Sequence, residues 1–316
     1  MPPADELELR SRVPAAAHGK ALLDYLLQRF PYHDRAAWLR EIADGRLRCD
    51  GRPLTAQARL ATGMQLVYHR AHAEPPVDDR ITVLHDDAAI VVVRKPAHLP
   101  VHADGPFVRN TLVHLLQTRL QSPSLQLVHR LDRETSGLCV VARTAAARDA
   151  LRRQFAAGSV HKGYVAVVRG VVAADFEVTL SIGHAVGGEV ALRRSCAPDA
   201  RAAKPAATTF TVLAVGRGRT LLRCVPRSGR THQIRVHLEA AGHPIVGDKL
   251  YGRPDADYLA FVAHVKQGGA ASAAPAGEPG RQLLHAAELA FDHPDTGQRC
   301  TFADPAPDEF RTWLDA

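Results

Sequence analysis

"LVHRLDRETSGLCVVART", residues Leu127 to Thr144, is the stretch whose reading decides the fold. Two apolar runs, Leu125 to Val128 and Leu138 to Val141, flank a turn in which Asp132 stands between Arg130 and Arg133. Short apolar runs bounded by polar residues read as buried strands. A surface hairpin needs only an Asn-Gly or Asp-Gly at its turn. A densely charged link between two buried strands instead marks a loop that presents side chains to a ligand. As sequence neighbours, Arg130 and Arg133 are expected to hold Asp132 ionised, since unit charges ~4 Å apart interact by about 4 kcal/mol at an effective dielectric near 20. An always-ionised carboxylate suits a nucleophile or a base better than a proton donor. Taken alone, a solvated surface turn explains the same charges equally well.

Outward from this stretch, strand-like runs dominate: Ile81 to Leu84, Ala89 to Val93, Tyr164 to Val168, Phe210 to Ala214 and Leu221 to Val225. Helical spacing appears at Thr111 to Leu120, Ala145 to Phe155 and Thr231 to Ala241. There is no regular βαβ alternation, so the expected fold class is α+β, with a mixed, largely antiparallel β-sheet flanked by helices. A smaller α/β unit precedes it. Leu22, Leu23, Leu26, Leu27 and Phe30 form one helical face, Asp34 caps a second helix that stops near Gly45, and Asp50-Gly51 signals a hairpin. The expected organisation is a polar tail over 1–14, the small domain over 15–70, a linker over 71–79 and the main domain over 80–316. Gly268 to Gly280, GGAASAAPAGEPG, reads as a mobile surface loop.

The 316 residues are 46% hydrophobic, ample for a core, yet no apolar run approaches the roughly 18 residues of a membrane span. The acidic start, MPPADELELR, lacks the pattern of a signal peptide. Both point to the cytoplasm and away from a membrane. Five scattered cysteines without a CxxC pair argue against a disulfide framework or a structural zinc, and the 17 histidines show no metal-ligand spacing. The expectation is therefore no metal and mostly buried, reduced thiols. A formal charge of +7 favours a polyanionic partner.

Two further basic stretches sharpen that. In PRSGRTHQIRVHLEAAGHPIVGDKLYG, Pro226 to Gly252, Arg230, His232 and Arg235 crowd the start of a helix for which Thr231 is the predicted N-cap. Helix N-terminal amides beside arginines form an anion site. In HKGYVAVVRG, His161 to Gly170, Tyr164 opens a strand two residues after Lys162, the aromatic-plus-basic pairing of single-strand RNA platforms; a packed core tyrosine is the commoner meaning of such a residue.

Together, in this order, these stretches resemble the RluA-type family of RNA pseudouridine synthases. HRLDRETSGL matches the signature HRLDxxTSGL, and RTHQIRVHL followed by GHPIVGDKLYG matches the second signature. HKGYVA fits KxYxA, KPAATTF is similar to KPAxTxF, RKPAHLPVH resembles KPxGLPVH with His98 where the family commonly has glycine, and LLHAAELAFDHP is similar to the closing LHAxxLxFxHP. The small N-terminal unit more loosely resembles an S4-type RNA-binding domain. The resemblance implies isomerisation of uridine to pseudouridine within an RNA, without cofactor or metal. It implies Asp132 as the essential residue, Arg235 as its partner, and Tyr164 stacked on a target base that is flipped out of its strand. It also implies Arg130 filling the vacated space, and with the basic stretches the expected RNA contacts are His129, Arg130, Arg133, Lys162, Arg230 and His232. The expected substrate is ribosomal RNA or tRNA, and the expected enzyme is a monomer. The alternative is an RNA-binding or ribosome-assembly factor that keeps the fold.

Overall fold

A computed structural model describes residues 6–71, 74–267, 269–270, 272–275 and 277–316 of the chain. The chain folds as two units, one ending at Glu74 and the other beginning at Pro75.

The first unit carries strand β1 (Glu6–Arg12), helices α1 (Leu22–Arg29) and α2 (Arg35–Ala43), and strands β2 (Leu47–Cys49), β3 (Arg52–Pro53) and β4 (Gln65–Ala71) in a sheet of order β1-β4-β2-β3. Leu22, Leu26, Trp38, Ile42, Leu47, Leu66 and Tyr68 form its core. The Asp34 carboxylate accepts from the Ala37 amide at 2.7 Å, the expected cap. Asp50 and Gly51, both at positive φ, make the expected two-residue turn. The expected tail is corrected by β1, which pairs antiparallel with β4 from Leu7↔Arg70 to Arg12↔Gln65. Backbone pairing with β4 holds this strand, which leaves Leu9 and its charged neighbours exposed, so its sequence reads as a solvated segment.

The second unit contains β5 (Thr82–Asp86), β6 (Ile90–Lys95), α3 (Leu112–Arg119), β7 (Gln126–Leu127), β8 (Ser136–Ala142), α4 (Ala145–Ala157), β9 (His161–Arg169), β10 (Phe176–Val178), β11 (Ile182–His184), β12 (Arg194–Ser195) and β13 (Arg201–Lys204). It continues with β14 (Thr208–Val215), β15 (Arg219–Pro226), α5 (Gln233–Ala240), α6 (Asp255–Lys266), β16 (Leu284–Asp292), β17 (Arg299–Ala303) and α7 (Glu309–Asp315). Ten strands form one sheet along the path β10-β14-β15-β9-β16-β8-β6-β5, with β17 on β16 and β7 on β8, while β11, β12 and β13 make a separate sheet. In the large sheet every described pair is antiparallel except β8 with β16. The α+β class with a largely antiparallel sheet is thus the observed one.

Both faces of the sheet's middle are covered. Ile90, Val92, Leu138 and Val140 pack towards Leu151 of α4, and Val91, Val93, Cys139 and Val141 towards Leu112 and Leu116 of α3. A strand buried on both faces reads as a continuous apolar run rather than an alternating one. At the start of β8, Gly137 lies at φ +107, and a Cβ there would stand 2.3 Å from the Ala286 carbonyl oxygen. Glycine is what lets β8 and β16 meet. The run Leu125 to Val128 is strand only at Gln126 and Leu127. Of the loop 268–280, residues 268, 271 and 276 lie outside the described residues, and α6 ends just before it. Among the described residues no helix is long and apolar enough to cross a membrane.

Candidate active site

The Asp132 loop joins β7 to β8 and is fastened from several directions. The Lys95 ammonium at the end of β6, fully buried, donates to the carbonyls of Pro96, Leu99 and Arg133 at 2.8, 2.9 and 3.2 Å. The Glu134 carboxylate accepts from Lys249 at 2.6 Å and from the Gln282 amide at 3.0 Å. The Thr135 hydroxyl accepts from the Gln282 side chain at 2.9 Å. Residues far apart in sequence therefore hold the loop still, and Asp132 remains partly exposed at its apex.

The partner of Asp132 comes from α5. Arg235 Nη1 donates to Asp132 Oδ2 at 2.8 Å. Its Nε and Nη2 form a two-pronged pair with the fully buried Asp248 at 2.7 and 2.9 Å. The guanidinium also lies over the Tyr251 ring, 4.8 Å from its centre. Asp248 in turn accepts from the amides of Leu250 and Tyr251 at 2.8 and 3.0 Å. One buried cation thus spans two carboxylates, and a planar fork is the group suited to that. The expectation that Arg130 and Arg133 keep Asp132 ionised is corrected. Arg133 pairs with Glu134 and lies over Phe107, Arg130 is exposed, and the described ion pairs of Asp132 are to Arg235 and His232. Adjacent turn residues splay apart, so a neighbour in sequence is a poor guide to the counter-ion.

Burial works against the charge on Asp132, but His232 and Arg235 outweigh it and hold the carboxyl down at about 2. The His232 ring is itself pushed down to about 4, first by burial and then by Arg235. Near neutrality it is uncharged, and Arg235 is the standing counter-ion. Because the folded value of Asp132 lies below the free carboxyl's 3.8, its stabilisation is complete above that pH and is lost as pH falls towards 2. For His232 the folded value lies below the free imidazole's 6.5, so stability declines as pH falls from 6.5 to about 4, where the unfolded chain takes up the proton first. Neither group titrates between about pH 5 and pH 8, so neither is expected to shape the single-turnover rate across that range. A rate that tracks an ionisation with a midpoint between about 6 and 7 would show that a different group governs the step.

The other sequence-predicted residues divide. Tyr164, on β9 opposite Cys224 and Ala286, has its phenol raised well above the ordinary value by burial and then by the Asp132 charge; it is protonated throughout the physiological range. Lys162 donates to the Ser228 carbonyl at 3.0 Å, tying β9 to the loop before α5. Arg230 is exposed and donates to the Pro205 carbonyl at 3.2 Å. His129 is engaged within the fold. Its ring stacks on Phe155 at 4.7 Å and its Nε2 accepts from the Val140 amide at 3.1 Å. Thr231 is not the N-cap; that position is His232, in the left-handed region at φ 58 without a side-chain cap bond, while the Gln233 side chain accepts from the Arg230 amide at 3.1 Å and closes the loop. His98 also adopts a left-handed φ of 62, a backbone region that favours glycine.

Asp248 is the functional residue that pattern reading passed over. Its signal was an acid set between the apolar runs of HPIVGDKLYG, where only a paired charge can be buried. A second group resembles a hydrolase triad: the Ser136 hydroxyl lies 2.8 Å from His285 Nδ1, and His285 Nε2 bonds the Asp304 backbone carbonyl at 3.2 Å with the Asp304 carboxylate 3.3 Å away. All three are buried, and Ser136 also accepts from Arg281 at 3.0 Å. These bonds brace the β8–β16 seam and offer no exposed nucleophile.

Comparison with known proteins follows the same lines. A family described as RNA pseudouridylate synthase matches residues 89–240. The chain is 34% identical over 325 residues to a ribosomal large subunit pseudouridine synthase D of Pseudomonas aeruginosa, covering 98% of this chain and 96% of that one. It is 36% identical over 250 residues to RNA pseudouridine synthase 7 of Arabidopsis thaliana, covering 76% of this chain and 62% of the plant protein. Among solved structures, human RNA pseudouridylate synthase domain containing 1 superposes with a TM-score of 0.57 at 27% identity, covering 74% of this chain and 86% of that one.

Proposed function

The chain belongs to the RluA-type family of RNA pseudouridine synthases, and from that premise we propose that it isomerises uridines of large-subunit ribosomal RNA, with Asp132 as the essential group. The observation that carries this reading is the Asp132–Arg235–Asp248 ladder, which keeps one carboxylate charged at an accessible loop apex. In the reaction the bond between N1 and C1′ breaks, a bond between C5 and C1′ forms, C5 loses a proton and N1 gains one. Atoms and electrons balance within the nucleotide. An ionised Asp132 can begin either of two routes, by attack at C1′ or by removing a proton from the ribose. Both require the nucleotide to leave its stack, at a few kcal/mol. Tyr164, protonated and beside Asp132, offers a ring face to the flipped uracil, and the exposed Arg130 reaches the space it leaves. Similarity over nearly the whole length to a large-subunit ribosomal RNA enzyme supports that substrate over tRNA.

The small unit before Glu74 supplies RNA affinity in this reading, as an S4-like attachment, and the enzyme works as a monomer in the cytoplasm. Arg48 and Arg52 are exposed on its β2–β3 hairpin. Reversing both charges is expected to weaken binding about ten-fold or more at low salt and to flatten the salt dependence, with single-turnover rate at saturation unchanged. A filter-binding titration across salt concentrations measures this; unchanged affinity would leave the unit a packing role.

Release of tritium from uracil C5 tests the reaction itself. Purified protein incubated with a large-subunit ribosomal RNA transcript so labelled should liberate tritium in step with pseudouridine. Binding without release would favour a protein that only holds RNA.

A further inference from the structure

We propose that His232 is a further substrate-touching residue, and that its Nε2–H and the Asp132 carboxylate together take the 2′-hydroxyl of the flipped uridine. This rests on the pseudouridine synthase reading above and adds the group that reads the ribose.

The hydrogen-bond chain decides where the imidazole proton sits. Tyr251 is buried, and its hydroxyl oxygen accepts from the Arg194 backbone N–H at 3.1 Å, a group that can only donate. A buried phenol still needs an acceptor for its own proton, and His232 Nδ1 stands 2.8 Å away. Burial raises the Tyr251 phenol well above its ordinary value, so the proton stays on it. Nδ1 therefore accepts, and the neutral ring carries its hydrogen on Nε2.

That Nε2–H faces the catalytic carboxylate. It lies 4.0 Å from Asp132 Oδ1, while Arg235 is bonded to Oδ2. The gap is too long for a direct hydrogen bond, yet an oxygen can sit at about 2.8 Å from both atoms. The backbone at His232 is left-handed, at the head of α5, and the ring turns to Tyr251 and Asp132 instead of capping the helix amides. Such a conformation persists where the surroundings hold it, and it clusters at functional sites.

A donor beside an acceptor selects a group that both accepts and donates. The uracil carbonyls only accept, and its N3–H only donates. Inside an RNA strand O3′ and O5′ are tied up in phosphodiesters, so the 2′-hydroxyl is the one free ribose hydroxyl, and it adjoins the carbons at which Asp132 acts. The pair therefore also distinguishes RNA from DNA.

The test is a four-way comparison on synthetic fragments of large-subunit ribosomal RNA, carrying ribose or 2′-deoxyribose at the target uridine, with wild type and His232→Ala under single-turnover conditions. Wild type is expected to slow about 10- to 100-fold on the deoxy substrate. His232→Ala should show a similar loss on the ribose substrate, an affinity within about three-fold of wild type, and almost no further loss on the deoxy substrate. His232→Gln, whose amide nitrogen can reach the Nε2 position, should recover most of the rate, which a purely structural role would not predict. If His232→Ala discriminates ribose from deoxyribose as wild type does, the inference is overturned. A variant that binds weakly but reacts at the normal rate would also overturn it and make His232 a binding contact. An inactive wild type would remove the underlying reading, and this inference with it.

Discussion

Replacing Asp132 by asparagine is expected to abolish pseudouridine formation, to below about one-thousandth of the wild-type rate, while RNA affinity stays within a few-fold. The substitution keeps the size and planarity of the side chain and removes only its charge. Arg235 is not orphaned by it, because Nε and Nη2 remain bonded to Asp248 and the asparagine oxygen can still accept from Nη1. The stability lost is modest. A carboxyl held at about 2 instead of 3.8 corresponds to ~2 kcal/mol of favourable interaction in the charged form. A folded, RNA-binding and inactive protein is thus the expected product, checked by rate, binding and thermal unfolding on one preparation. Residual turnover above about one per cent would take the charge of Asp132 out of the chemistry.

Removing Arg235 should do the greater structural damage. Arg235→Ala leaves Asp132 and the fully buried Asp248 without a cation, and stripping one partner from a buried pair costs about 3–5 kcal/mol. Two effects are expected: a large fall in unfolding free energy, and an upward shift of the acid limb of the rate to above about pH 4, as Asp132 loses its counter-ion while its burial still disfavours the charge. Asp248→Asn separates them. It keeps a buried hydrogen-bonding group against Nε and Nη2 but removes a negative charge, so it should spare much of the fold while loosening the aim of Arg235 at Asp132. Denaturant unfolding and a pH–rate profile on both variants check the pair. If Arg235→Ala changed RNA affinity and rate equally and left the acid limb in place, Arg235 would be a phosphate contact.

Much of this was legible in the chain. The opening stretch reads as strand, charged turn and strand because β8 is buried on both faces and so carries an unbroken apolar run. The α1, α2, α3 and α4 helices follow from apolar spacing, with the cap at Asp34 read from the sequence and those at Thr111 and Thr144 seen in the structure. What stayed hidden is tertiary. The counter-ion of Asp132 lies 103 positions along the chain, where the family resemblance and not the local charge pattern pointed, and Arg235 is aimed by Asp248, whose role appears only once α5 and the following loop pack together. The strand β16, which carries the parallel seam against β8, is rich in alanine and has no strand-like alternation. Thr231 has the composition of a cap, yet the helix starts one residue later on a histidine held in place by Tyr251. Rules that work within a few residues find elements; they do not find partners across a fold.

The most direct test maps pseudouridine in large-subunit ribosomal RNA by carbodiimide modification and primer extension, in a strain lacking this gene and complemented with wild type or with Asp132→Asn. One or a few sites should vanish in the deletion and return with wild type alone. Sites restored equally by Asp132→Asn, or sites that persist in the deletion while purified wild type also makes no pseudouridine, would contradict the claim that a charged Asp132 drives isomerisation of this RNA.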